Sequence, residues 1–147
     1  MFKSKQIIRS FSTLFVLALV LSTTMMARGN EIRVQLRHQE GVPYLSGGIG
    51  VDQREELNKI AAKEKMNLKL EFAQRDGAFL SAVPVTITDP SGVVRLQVTT
   101  DGPWLFVRLP EGEYRFRAER NGKVQSGTVT ISEKERTQEI VSFSLAF

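Results

Sequence analysis

The stretch Val83-Pro84-Val85-Thr86-Ile87-Thr88-Asp89-Pro90-Ser91-Gly92-Val93-Val94-Arg95-Leu96-Gln97-Val98 decides the fold class. Val83, Val85 and Ile87 alternate with Thr86 and Thr88. Val94, Leu96 and Val98 alternate with Arg95, Gln97 and Thr99. A period of two gives each run one apolar row, which is the pattern of a strand with one buried face. Between the runs, Asp89-Pro90-Ser91-Gly92 has the chemistry of a type I turn: Pro presets φ, and Gly tolerates positive φ. The segment reads as two strands joined by a turn.

Working toward the C-terminus, Asp101-Gly102-Pro103 turns the chain into Trp104–Leu109, which is apolar on both faces and therefore reads as a central strand. After Pro110-Glu111-Gly112, Tyr114, Phe116 and Ala118 alternate with Arg115, Arg117 and Glu119. Asn121-Gly122 is a strong hairpin signal, since both residues accept positive φ. Val124–Ile131 runs back, and a charged link, Ser132–Arg136, leads to a last run in which Val141, Phe143, Leu145 and Phe147 alternate with serines. Working toward the N-terminus, Arg75–Ser81 reads as a loop and Leu68, Leu70 and Phe72 as a strand. Asp52–Met66 reads as a helix: Asp52 is placed as its cap with Glu55 completing a capping box, Leu57, Ile60 and Ala61 form the apolar stripe, and Asn67 is a left-handed stop. Gly41–Gly50 reads as a glycine-rich loop and Glu31–Arg37 as a half-buried strand. Turns recur at the spacing of a β-sandwich. The expected fold is mainly β, an antiparallel seven- to eight-stranded sandwich (prealbumin-like or Ig-like) with one short amphipathic helix.

The chain has 147 residues, no Cys and one His. These counts exclude disulfides, thiolate chemistry and sites needing two imidazoles. Its net charge of +4 invites an acidic partner such as nucleic acid. The first 27 residues remove that invitation. Lys3, Lys5 and Arg9 precede the apolar run Phe11–Leu21, and Ala27 offers a small residue before a cut, the order of a secretory signal peptide. The run is about 11 residues, short of the roughly 20 a spanning helix needs. Without those three cations, 17 basic residues face 16 acidic ones, a net charge of +1. The expected organisation is a signal peptide (1–27), an N-terminal strand, loop and helix (28–67) and a β-sandwich (68–147). The location is periplasmic or secreted, and nucleic acid is excluded as a partner.

The stretch Val83–Ile131 resembles a known module. Val83-Pro84-Val85-Thr86-Ile87, then Asp101-Gly102-Pro103-Trp104, then Leu109-Pro110-Glu111-Gly112-Glu113-Tyr114-Arg115-Phe116 follow the order typical of carboxypeptidase regulatory-like domains. The resemblance implies a transthyretin-like sandwich and assigns no activity. It also implies that the Tyr114 hydroxyl turns back to its own corner, as in a tyrosine corner.

Chemistry-bearing patterns are sparse. Ser46-Gly47-Gly48-Ile49-Gly50 lacks the Gly-Lys-Ser/Thr ending of a phosphate loop, and Asp52 adds negative charge where phosphate would sit. His38 stands alone, so a His-based acid–base role has no partner. The transthyretin-like hydrolases of the urate pathway use several His and a C-terminal Tyr-Arg-Gly-Ser; this sequence has one His and closes on Ser-Leu-Ala-Phe. Glu71, Asp76, Asp89 and Asp101 are scattered singly, with Asp89 and Asp101 in turns. No enzymatic reaction, cofactor or metal is assigned. Arg115 and Arg117 share a strand face, which Glu113 and Glu119 blunt. The sequence therefore predicts a non-enzymatic protein that binds or supports another envelope component, either a protein or an anionic glycan. Its partner surface is placed on Tyr44, Gly47, Gly48, Gly50, Trp104, Arg108, Arg115 and Arg117. The alternatives are an uncharacterised secreted hydrolase and a small outer-membrane barrel; the latter rests on the alternating run that reaches Phe147.

Overall fold

Nine strands and one helix account for the regular structure of residues 33–144, which the computed structural model describes. These belong to a compact unit spanning 33–147. The signal-peptide reading of 1–27, together with Leu145 and Phe147, lies outside the described residues. The elements are β1 (Arg37–Gln39), β2 (Val42–Gly47), α1 (Val51–Lys63), β3 (Leu68–Gln74), β4 (Pro84–Thr88), β5 (Val94–Thr99), β6 (Trp104–Val107), β7 (Gly112–Arg120), β8 (Lys123–Ile131) and β9 (Thr137–Phe143). They form a five-stranded sheet, β1-β2-β6-β3-β9, and a four-stranded sheet, β5-β4-β7-β8. The fold is a mainly-β sandwich with one helix. The strands lie in two separate sheets and do not close into a barrel, so the outer-membrane alternative loses its architecture among the described residues. No helix among them is long and apolar enough to cross a membrane.

The alternating rows meet between the sheets. Leu70, Phe72, Leu105, Val107, Val141 and Phe143 from the first sheet pack against Val85, Ile87, Leu96, Tyr114, Phe116 and Val129 from the second. The two hairpin signals behave as their chemistry requires. Asp89 Oδ1 accepts the Ser91 and Val93 amides. Asn121 and Gly122 both take positive φ, 49° and 74°. Trp104–Val107 is central, lying between β2 and β3.

Four local readings need correction. Gly41–Gly50 is not a loop throughout. Glu40 and Gly41 turn the chain with positive φ, and Val42–Gly47 forms β2, paired on both sides. Val42 and Tyr44 pack against the inter-sheet core while Leu45 is buried on the opposite face, so tertiary burial overrides the glycine signal. Of the strand expected at Glu31–Arg37, Glu31 and Ile32 lie outside the described residues, Arg33–Leu36 stay out of the ladder and β1 begins at Arg37; Val34 and Leu36 still pack inward. The helix begins at Val51, with Gly50 at the N-cap and no side-chain cap from Asp52. Gln53 reaches back instead, and its Oε1 accepts the Gly48 and Ile49 amides at 2.7 and 2.8 Å. A missing cap costs about 1 kcal/mol. Full burial of Leu57 contributes about 1.5–3 kcal/mol, so packing holds the helix. Its left-handed stop is Lys65, not Asn67. Asn67 bridges to the end of β6 by donating to the Leu109 carbonyl and accepting the Leu109 amide.

One pairing departs from an all-antiparallel sandwich. β9 runs parallel to β3, Leu68 opposite Thr137 through Gln74 opposite Phe143. The link after β8 carries the chain from the second sheet to the edge of the first, where Thr137 N–H donates to the Asn67 carbonyl. Alternation specifies which face is buried and is silent on strand direction.

Candidate functional site

The first sheet buries side chains on both of its faces. Its outer face carries a second apolar cluster in which Leu57 and Ala61 of α1 cover Leu45 and Phe106, with Val34 and Met66 closing the sides. Helix α1 lies over β2. Beside it, on β6 and β3, the outer face is a group of cations and aromatic rings. The Trp104 and Phe106 rings meet edge to face, 6.1 Å apart. Lys69 Nζ stands 3.5 Å from the centroid of Trp104. Arg54, from α1, places its guanidinium 5.9 Å from Trp104 and 5.5 Å from Phe79. Arg136, from the link before β9, lies 5.1 Å from Phe106. The cations are pinned as well as stacked: Arg54 donates to the Gly48 carbonyl and Arg136 to the Met66 carbonyl. A cation over a ring face is attracted by the ring quadrupole, by about 2 kcal/mol or more when desolvated.

Lys69 is the centre of this group. It is only 8% exposed, and a charged side chain is rarely buried unless paired. Its carboxylate partner is Glu71, at 3.4 Å. Burial pushes the Lys69 ammonium below the usual lysine range, against the pull of Glu71, and the nearby Arg136 charge adds to the depression. Trp104 Nε1 is buried with no hydrogen-bond acceptor among the described residues.

The residues singled out from sequence are distributed as follows. Trp104 is half-buried in this group, and Gly48 packs on it: a Cβ at Gly48 would lie 3.2 Å from the indole. Gly47 and Gly48 are buried and Gly50 is exposed at the helix N-cap, so the glycine run serves close packing more than display. Tyr44 faces the inter-sheet core, with the Arg37 guanidinium 4.9 Å from its ring. Arg108 is exposed just past β6, and its amide donates to the Pro43 carbonyl. Arg115 and Arg117 do share the outer face of the second sheet, opposite Thr128 and Ser126, and Arg117 is paired with Glu119 at 3.1 Å. His38 is exposed. Of the eight residues, the structure brings only Gly48 and Trp104 together in the cation–aromatic group. Sequence reasoning missed Arg54, Lys69, Phe79 and Arg136. The available signal was Trp104–Val107 being apolar on both faces, which requires a covered outer face and something to cover it.

A pocket of about 100 Å³ opens at the end of the sandwich between Leu80, Arg120, Lys123 and Phe143. It is small beside the roughly 300–1,000 Å³ of typical ligand sites. Its two cations are occupied, Arg120 by the Ser81 carbonyl and Lys123 by the Ser144 carbonyl. No protein-family model and no curated protein matches this chain.

Proposed function

We propose that this protein is an exported, non-enzymatic β-sandwich that binds another component of the cell envelope. The observation that carries the reading is the outer face of the first sheet, where Arg54, Lys69 and Arg136 gather around two aromatic rings with Glu71 as their one ion-pair partner among the described residues. A buried Lys69, flanked by the half-buried Arg54, the exposed Arg136 and exposed apolar side chains, is a costly surface for a free-standing scaffold and a useful one for a binder. The order of positive, apolar and small residues in Lys3–Ala27 supports export. The resemblance of Val83–Ile131 to carboxypeptidase regulatory-like domains supports the sandwich and an exported compartment and leaves activity open.

The reading is tested in living cells with a photo-crosslinking amino acid placed at Phe79 or at Ile140, both about half exposed. The control position is Thr128 on the opposite sheet. A reproducible envelope adduct from Phe79 or Ile140 and none from Thr128 is the expected result. No adduct from either position, or retention of the whole protein in the cytoplasm on fractionation, would sink it.

A further inference from the structure

The cation–aromatic group has unmet demands, and all of them are for acceptors. Carbonyls fill hydrogen bonds of Arg54 and Arg136 without cancelling their charge. Glu71 cancels one charge of three. The group therefore carries an excess of two positive charges, on the half-buried Arg54 and the exposed Arg136, next to Lys69, which is largely removed from water. Trp104 Nε1 lacks an acceptor among the described residues, and leaving a buried donor unmatched costs about 1–3 kcal/mol. A ligand bearing a negative oxygen would meet the charge where it is open to solvent, at Arg54 and Arg136.

The surroundings select the kind of ligand. Ile140 sits on β9 in register with Glu71, which is itself in register with Trp104. Ile49 follows Gly48, the residue packed on Trp104, and Phe79 stacks with Arg54. Ile49 and Val51 are 61% exposed, Ile140 57% and Phe79 50%. An apolar rim around Arg and aromatic groups is the composition of the centre of a protein interface.

We infer that this cation–aromatic patch, through Arg54 and Arg136, receives a carboxylate side chain of a protein partner, presented between apolar neighbours. The inference rests on the binding reading and adds the place and the chemistry. Trp104 is the single tryptophan of the chain, so its fluorescence reports on the patch directly. The probe is a blocked peptide, Leu-Phe-Asp-Ile-Leu, titrated beside its Asn analogue and beside tetragalacturonate at constant salt. The expected result is a saturable emission shift with the Asp peptide, weaker by about tenfold or more with the Asn analogue. The preference disappears in Lys69→Met and in Arg54→Gln, the second variant guarding against a folding defect in the first. No saturable shift with the Asp peptide overturns the inference. So does tighter binding of tetragalacturonate, which would assign the patch to an anionic glycan. Crosslinks at Phe79 or Ile140 without a peptide response would leave the binding reading standing and remove this one; absence of both would remove both.

Discussion

Replacing Tyr114 with Phe removes a single oxygen from a buried corner. The hydroxyl donates to the Pro110 carbonyl at 2.9 Å, closing the turn that joins β6 to β7. The loss of one such bond should cost about 1 kcal/mol, read as a lower urea midpoint with an unchanged slope; an unchanged midpoint would mean the corner is held by packing alone. Asp89 works through charge. The Ser91 hydroxyl, then Arg95 and the Val93 amide, hold its carboxyl well down, from 3.8 to about 2. A carboxylate depressed on folding contributes stability that is complete above the unfolded value, near 4, and is lost as pH falls through about 2. Asp89→Asn should therefore flatten the fall in stability between pH 4 and pH 2; an acid limb identical to that of the unmodified protein would contradict this. Gly102 is a matter of space. A Cβ there would lie 2.3 Å from the Gly47 carbonyl oxygen, which is backbone and cannot swing away. Gly102→Ala should cost about 3 kcal/mol, at the upper end of overpacking, and thermal melting would show it.

At the scale of elements, β1 and β5 are edge strands of different sheets, and one side chain joins them. The Gln39 amide donates to the Gln97 carbonyl at 2.9 Å, and its oxygen accepts the Gln97 amide at 2.6 Å. It occupies the hydrogen-bonding groups that a further strand would use. Gln39→Ala should leave the fold intact and raise the rate of self-association at high concentration, measured by light scattering; an unchanged rate would mean that the β5 edge is protected by other means. The strands were legible in the sequence because Val85, Ile87, Leu96, Tyr114 and Phe116 each repeat at the strand period. β2 was hidden because glycines bracket it, Gly41 before Val42 and Gly47 with Gly48 at its end, and they carry turn chemistry wherever they stand. The helix cap was misplaced because Gln53, unlike Asp52, has the length to reach back past Gly50. The cation–aromatic group had no local signature at all. Arg54, Lys69, Trp104 and Arg136 come from a helix, two strands and a link, and only the antiparallel pairing of β3 with β6 brings Lys69 opposite Phe106 and Glu71 opposite Trp104.

For the whole molecule, the two sheets are assembled from different parts of the chain. The second draws β4, β5, β7 and β8 from residues 84–131. The first draws on β1, β2 and β3 before that stretch, β6 within it and β9 after it. A chain that emerges N-terminus first, from a ribosome or through a membrane, can close the hairpins of the second sheet early, because their partners lie close in sequence. The flank of β3 must wait for residues 137–143. Until they arrive, Leu70 and Phe72 lie beside an open edge, the condition in which a nascent sheet is most exposed to wrong pairing. The parallel strand β9 thus acts as a completion step: a chain cut short before Thr137 would keep every β-turn of the second sheet and lack the strand that seals the first.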